Sequence, residues 1–241
     1  MSLWGKIIRT GIVTEKLDSA PVPLRFRGAI RAGTQECGDC HVCCAVCPTG
    51  AITVQDGVLQ VNDRDCIFCG RCVQQCEARY LRDTKQYKLA TLAGALAETT
   101  GNELRNKIRR VLNRSMHIRH VDVGSCNACD FEMAALNNPI YDLQQYGIDF
   151  VPSPRHADLL MVTGVVTRNL TQALMMTYEA TPTPKLVMAV GACAAGGHTF
   201  SDSYAIRGRV DQLVPVDIYV PGCPPRPQAL LYGLLLALDR L

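Results

Sequence analysis

The chain has 241 residues, 48% of them apolar, a net charge of only +3, and thirteen cysteines against a single tryptophan. The apolar share is that of a folded globular protein, which excludes a disordered chain. The small net charge argues against nucleic acid as a partner. The cysteine count leaves two chemistries, a secreted disulfide framework or metal ligation.

The first element is a helix. Leu3, Trp4, Ile7, Ile8 and Ile12 fall on one helical face, with Lys6 and Arg9 elsewhere. Residues 1–30 therefore read as an amphipathic or extended anchor. Its apolar face suits docking on a partner or at a membrane surface, and equally packing against its own chain. Met1-Ser2-Leu3-Trp4-Gly5-Lys6 leads into no apolar signal core, and an odd number of cysteines cannot pair completely. Metal ligation in a reducing compartment is the expectation. The longest apolar run, Leu230–Leu238, is about half of the ~20 residues that a bilayer-spanning helix needs.

Residues 31–94 hold an internal repeat. Cys37-x2-Cys40-x2-Cys43-x3-Cys47-Pro48 is followed by the strand-like Ala51–Val54, and the same spacing returns as Cys66-x2-Cys69-x2-Cys72-x3-Cys76. In two-cluster ferredoxins this spacing wraps three thiolates around one cubane, and the last cysteine of each quartet ligates the other cluster. One [4Fe-4S] cluster is thus expected on Cys37, Cys40, Cys43 and Cys76, and a second on Cys66, Cys69, Cys72 and Cys47. Zinc knuckles also use C-x2-C pairs but separate them by a long spacer, which two unbroken quartets do not have. Cys44 is left over, with a buried small thiol as its default role.

Residues 95–118, with Arg105, Lys107, Arg109, Arg110 and Arg114, read as a basic helical linker with a solvated face. Beyond it, residues 119–241 alternate strand-length apolar runs with helical segments. Strands are expected at Ile118–Val123, Asp158–Thr163, Lys185–Val190 and Asp217–Val220, and helices around Asp130–Leu136, around Asn169–Ala180 and from Pro227. Such alternation builds a mostly parallel sheet covered on both faces. The expected fold is an α+β ferredoxin-like domain followed by an α/β, flavodoxin-like domain.

Four cysteines remain in that second domain. Cys126, Cys193 and Cys223 each follow a predicted strand, and Cys129 opens a helix. In an open parallel sheet the carboxyl ends of the strands share one edge, where ligands collect. All four can therefore meet on a third [4Fe-4S] cluster, with Gly191, Gly196, Gly197 and Gly222 giving the backbone room for close approach.

Residues 117–241 resemble the small subunit of complex-I-like, energy-converting nickel–iron hydrogenases, closest to the formate-hydrogenlyase type. The motifs are Gly-Ser-Cys-Asn-Ala-Cys-Asp-Phe-Glu from Gly124, Val-Pro-Ser-Pro-Arg-His-Ala-Asp from Val151, Gly-Ala-Cys from Gly191, and Pro-Val-Asp-Ile-Tyr-Val-Pro-Gly-Cys-Pro-Pro-Arg-Pro from Pro215. Residues 1–90 are similar to the ferredoxin subunit of the same complexes, through Arg9-Thr10-Gly11 and Cys66-Ile67-Phe68-Cys69-Gly70-Arg71-Cys72. The two parts are usually separate polypeptides and are joined here. Quinone-reducing relatives typically open the site with adjacent cysteines, whereas this chain has Cys126-x2-Cys129, the hydrogenase-like spacing.

The resemblance implies an electron-transfer subunit of a membrane-associated [NiFe]-hydrogenase complex, peripheral on the cytoplasmic side of the inner membrane. Its implied partners are a large subunit carrying the nickel–iron site, the membrane subunits of a complex-I-like arm, and an electron donor: formate dehydrogenase, carbon monoxide dehydrogenase or ferredoxin. A quinone-reducing subunit, or a conductive subunit of a related complex without nickel, is the alternative. Glu132 is the candidate catalytic residue, for proton transfer beside the cluster, while Asp130 reads as a helix N-terminal acid favoured by the macrodipole. Arg226 is expected either to hydrogen-bond near the cluster or to form an interface salt bridge. The five histidines show no ligand spacing.

Overall fold

A computed structural model describes residues 3–17, 21–33, 42–55, 58–93, 115–200 and 202–239. Cys37, Cys40 and His41, and the expected basic linker up to residue 114, lie outside the described residues.

The second half is built on a six-stranded sheet. Its strands stand in the order Thr91–Leu92, Ile218–Val220, Leu186–Val190, Leu159–Thr163, Met116–Asp122 and Ile148–Phe150. All neighbours run parallel except Thr91–Leu92, which pairs antiparallel with Ile218–Val220. Leu159–Thr163 and Leu186–Val190 are buried at every position, as continuous apolar runs in a sheet covered on both faces must be. On one face Ile118, Leu159, Met161 and Met188 pack with Leu230 and Leu234 of the helix Pro227–Ala237 and Met133 of the helix Ala128–Ala135. On the other, Val121, Leu160, Val162 and Val187 pack with Leu174 of the helix Arg168–Ala180.

Two acids fix where parallel strands begin. The Asp158 carboxylate accepts the amide of His117 at 2.8 Å, and that of Asp217 accepts the amide of Val187 at 2.7 Å. Each acid precedes its own strand and satisfies a neighbour's first free donor, a group that is costly to bury unpaired.

The four expected strands and three expected helices of this half are present, with ends shifted by up to two residues. Two strands straddle the expected bounds. The first long strand begins at Met116, so residues 116–118, counted with the linker, stand in the sheet. Residues 91–92, counted with the cysteine repeat, supply a strand to the second half's sheet. Strands of two or three residues carry too little alternation to be seen in a sequence.

The first half contains the hairpin Ile52–Gln55 with Val58–Val61, the antiparallel pair Ile30–Ala32 with Leu81–Asp83, and short helices at Val42–Ala45 and Arg71–Gln75. Ile30, Ile52, Leu59 and Leu81 pack with Cys43, Cys66 and Cys72 into one small core. The amphipathic helix is present at Leu3–Thr10 and buries none of its residues. Leu3, Trp4, Ile7, Ile8 and Ile12 are all exposed, so its apolar face is not covered by the described residues.

Candidate metal centre

At the carboxyl edge of the large sheet, three strand ends and one helix start converge. The strand Met116–Asp122 runs into a turn in which the Asp122 carboxylate accepts the amides of Gly124 and Ser125, at 2.8 and 2.7 Å. Burial pushes the Asp122 carboxyl up, but these bonds outweigh it and hold the group below its ordinary range. Gly124, at φ 131°, could carry no side chain here, because a Cβ would stand 2.7 Å from the Val165 carbonyl oxygen. The turn presents Cys126 to solvent and leads to Cys129, buried in the first turn of its helix.

Cys193 lies in the helix Gly191–Gly196, which follows the strand Leu186–Val190 without an intervening residue. Cys223 follows the strand Ile218–Val220 through Pro221-Gly222. The two loops are tied by a hydrogen bond from the Ala192 amide to the Gly222 carbonyl at 2.8 Å. Gly191, at φ 84°, leaves a gap where the Cys129 sulfur sits.

Cys126, Cys129, Cys193 and Cys223 lie close enough that, as thiolates, every pair among them would repel. Burial first, and this mutual repulsion second, push the thiols of Cys129, Cys193 and Cys223 up, with Cys193 at about 12. Four thiols so arranged resist becoming four thiolates unless positive charge is placed among them. The donor set and the glycine cradle thus fit an iron–sulfur cubane.

The cysteine repeat shows the same signature. Cys47 and Cys66 bear electrostatically on one another and on Cys72, and Cys69 bears on Cys72. Burial first, then these neighbours, raise the Cys66 thiol to about 12 and the Cys72 thiol by a smaller amount. The four line one cavity with the apolar Ile30, Ile52, Val61 and Ile67. Amides of Ala51, Phe68 and Tyr80 point at the sulfurs of Cys47, Cys66 and Cys76, at 3.3, 3.4 and 3.2 Å. Cys43 is buried beside this group, and Cys44 is partly buried against the same core. Among the described residues no three His, Cys, Asp or Glu side chains gather closely enough for a single metal ion. A cubane spreads its ligands wider, one thiolate to each of four irons.

Of the other residues singled out in the sequence, Asp130 is more than a helix-terminal acid. Its carboxylate accepts hydrogen bonds from Ser125 of the turn and from Thr163 at 2.9 Å, and His120 Nε2 stands 3.0 Å away. His120 Nε2 also shares a hydrogen bond with Thr163 Oγ1 at 2.9 Å. Burial depresses the His120 imidazole, with Asp130 opposing. His120 and Thr163 were not legible as partners of the site, because they are neighbours only across paired strands. Glu132 is half-buried, and its carboxyl is raised by burial, with Arg226 opposing.

Arg226 joins the two halves. It donates from Nε to Gln228 at 2.7 Å and from Nη2 to the Pro21 carbonyl at 3.1 Å, and lies 4.7 Å over the Tyr87 ring. Its Nη1 is buried without a partner among the described residues.

Residues 126–237 match the family of the NADH ubiquinone oxidoreductase 20 Kd subunit, and residues 29–77 match a 4Fe-4S dicluster domain. The chain is 48% identical over 132 residues to the probable membrane-bound hydrogenase subunit mbhJ of Pyrococcus furiosus, covering 55% of this chain and 79% of that protein. It is 42% identical over 138 residues to formate hydrogenlyase subunit 7 of Escherichia coli, covering 57% of this chain and 54% of that one. An NADH-quinone oxidoreductase subunit of Citrifermentans bemidjiense is 46% identical over 113 residues, with 47% of this chain and 66% of that protein covered. The dicluster match, with the cysteine pattern, marks an iron–sulfur protein.

Proposed function

Because the chain belongs to the family of the NADH ubiquinone oxidoreductase 20 Kd subunit, we propose that it relays electrons in a membrane-associated nickel–iron hydrogenase complex. The observation that carries this reading is the meeting of Cys126, Cys129, Cys193 and Cys223 at the sheet's carboxyl edge.

The proposed cofactors are three [4Fe-4S] clusters. Cys126, Cys129, Cys193 and Cys223 hold one. In a ferredoxin-like domain over residues 31–94, Cys37, Cys40, Cys43 and Cys76 hold the second, and Cys66, Cys69, Cys72 and Cys47 the third. When bound, each cluster takes up and releases one electron at a time. The chain's own residues fix the ligands: the Asp122 turn aims Cys126, Asp130 ties the Cys129 helix to the sheet, and Gly191 admits the Cys129 sulfur. The Glu132 carboxyl, raised by burial and three residues beyond Cys129, is the group proposed to pass a proton to or from the partner's reaction.

The proposed partners are a large subunit carrying the nickel–iron site, the membrane subunits of a complex-I-like arm, and an electron-donor protein. No described helix is long and apolar enough to cross a membrane. The proposed association is peripheral, on the cytoplasmic side of the inner membrane, with residues 1–30 as the anchor. Residues 95–118 form the linker, apart from the strand that starts at Met116. The Cys126-x2-Cys129 spacing favours hydrogenase over quinone reduction.

The reading is tested by metal content. Anaerobically purified protein should hold about twelve iron and twelve sulfide per chain, four of each per cubane. About eight iron after full reconstitution, or stoichiometric zinc, would overturn it.

A further inference from the structure

The two halves of the chain meet at a tight place that lies next to both groups of cysteines. Gly196 ends the helix that carries Cys193. A Cβ on Gly196 would stand 2.3 Å from Asp65 Oδ1, 2.8 Å from the Arg64 carbonyl oxygen and 2.8 Å from Asp65 Cα. Two of these three atoms are backbone, so no side-chain rotation makes room. The next residue along that backbone is Cys66.

Neighbouring contacts hold the same joint. The Arg64 guanidinium lies 3.8 Å over the ring of Tyr219, in the strand that leads to Cys223. Attraction of this kind holds a cation against an aromatic face. Tyr219 in turn donates to Asp211 at 3.1 Å. On the far side of Cys66, Phe68 lines one cavity together with Gly222, Pro224 and Pro225. The Cys66–Cys69 loop is thus held at both ends against the loops that carry Cys193 and Cys223.

We propose that Gly196 is a positioning residue for electron transfer, its missing side chain setting the separation between the Cys66 centre and the Cys193 centre. The proposal rests on the cluster ligands assigned above. In the step concerned one electron leaves one centre and arrives at the other; no bond is made or broken and no proton moves. The rate of such a step falls steeply with separation, so a contact that spaces the ligand loops also governs throughput. Gly196 lies in ordinary helical backbone, with no positive φ. Alanine there is the better helix former, and its effect therefore reports the contact with Arg64 and Asp65.

The test is EPR of the reduced, cluster-loaded full chain, in which two paramagnetic centres split each other's signals by a dipolar coupling that falls as the cube of their distance. Gly196→Ala should keep the full iron content and each centre's own signal, with a weaker and broader splitting between these two centres. Arg64→Met removes the cation from the Tyr219 ring without adding bulk, and should broaden the same splitting. It carries the test if Gly196→Ala does not load iron. An unchanged splitting in a fully loaded variant overturns the proposal while leaving the cluster assignment intact. Iron content short of three clusters in the unaltered chain, by contrast, overturns the assignment itself.

Discussion

A Cβ placed on Gly191 would stand 2.8 Å from the sulfur of Cys129, so the glycine marks the space that this proposed cluster ligand occupies. The backbone at Gly191 also has φ 84°, a region that costs other residues about 1–3 kcal/mol. Gly191→Ala should displace the Cys129 thiol and lose the C-terminal cluster. Iron analysis should then fall by about four per chain, the content of one cubane. The two clusters of the cysteine repeat should keep their EPR signals.

Asp130 gathers Ser125, Thr163 and His120 onto one carboxylate. Asp130→Ala leaves these donors unpaired in a mostly buried place, at a cost of about 1–3 kcal/mol. The variant should melt lower, and its C-terminal cluster should bleach faster in air than the other two. Equal bleaching rates for all three clusters would show that the network does not support this centre.

Cys44 and its neighbour Cys43 should separate cleanly. Cys44→Ser should leave all cluster signals intact, since its side chain packs against the small core. Cys43→Ser should damage one cluster of the repeat. EPR of the reduced variants checks both, and loss of a cluster in Cys44→Ser would refute the ligand assignment.

Glu132 and Cys223 should fail in different ways. Cys223→Ser should abolish hydrogen production by the whole complex, with the repeat's clusters still reducible by an external donor. Glu132→Gln keeps the size and hydrogen bonding of the side chain but removes the titrating proton. Turnover should drop by roughly 100-fold or more, with every cluster retained, if proton delivery limits the rate. Full turnover in Glu132→Gln would leave the residue with a packing role only.

The Asp217 carboxyl is raised by burial, with the Val187 amide opposing. A folded-state pKa above the unfolded one means that the folded chain binds the proton more tightly. Stability contributed by this group is then present in acid and is lost as pH rises through the folded value. Asp217→Asn keeps an acceptor for the Val187 amide without the charge. Its urea midpoint should exceed that of the unaltered chain at about pH 8, and the gap should narrow as pH falls through the folded value and close near the ordinary aspartate value of about 4. A gap independent of pH would show that the charge is not the cause.

What could be read in the sequence divides by range. The cysteine quartets, the strand endings before Cys193 and Cys223, and the helix that opens at Cys129 are local patterns with fixed spacings. The pairing of Asp130 with Thr163 and His120 is not local, since it needs the register of two parallel strands, His120 opposite Met161 and Asp122 opposite Thr163. The seat of Gly196 on Asp65 depends on how two separately patterned segments pack. Glycine in a Gly-Ala-Cys-Ala-Ala-Gly-Gly run signals room, but it does not name what fills the room. Thr91–Leu92 was invisible for a simpler reason: two residues cannot display a period.

That short strand has a consequence for any attempt to divide the chain. The strand Ile218–Val220, which ends beside Cys223, is flanked on one side by Leu186–Val190 and, among the described residues, on the other only by Thr91–Leu92. A cut in the linker would leave the C-terminal fragment with a bare sheet edge and with Tyr219 stripped of its Arg64 cover. Unpaired edges recruit strands from other molecules. The severed fragment should therefore stick to itself or to foreign strands, whereas in the intact chain each C-terminal half is born with the piece that closes it. Joined in one polypeptide, the two modules keep the sheet edge beside Cys223 closed.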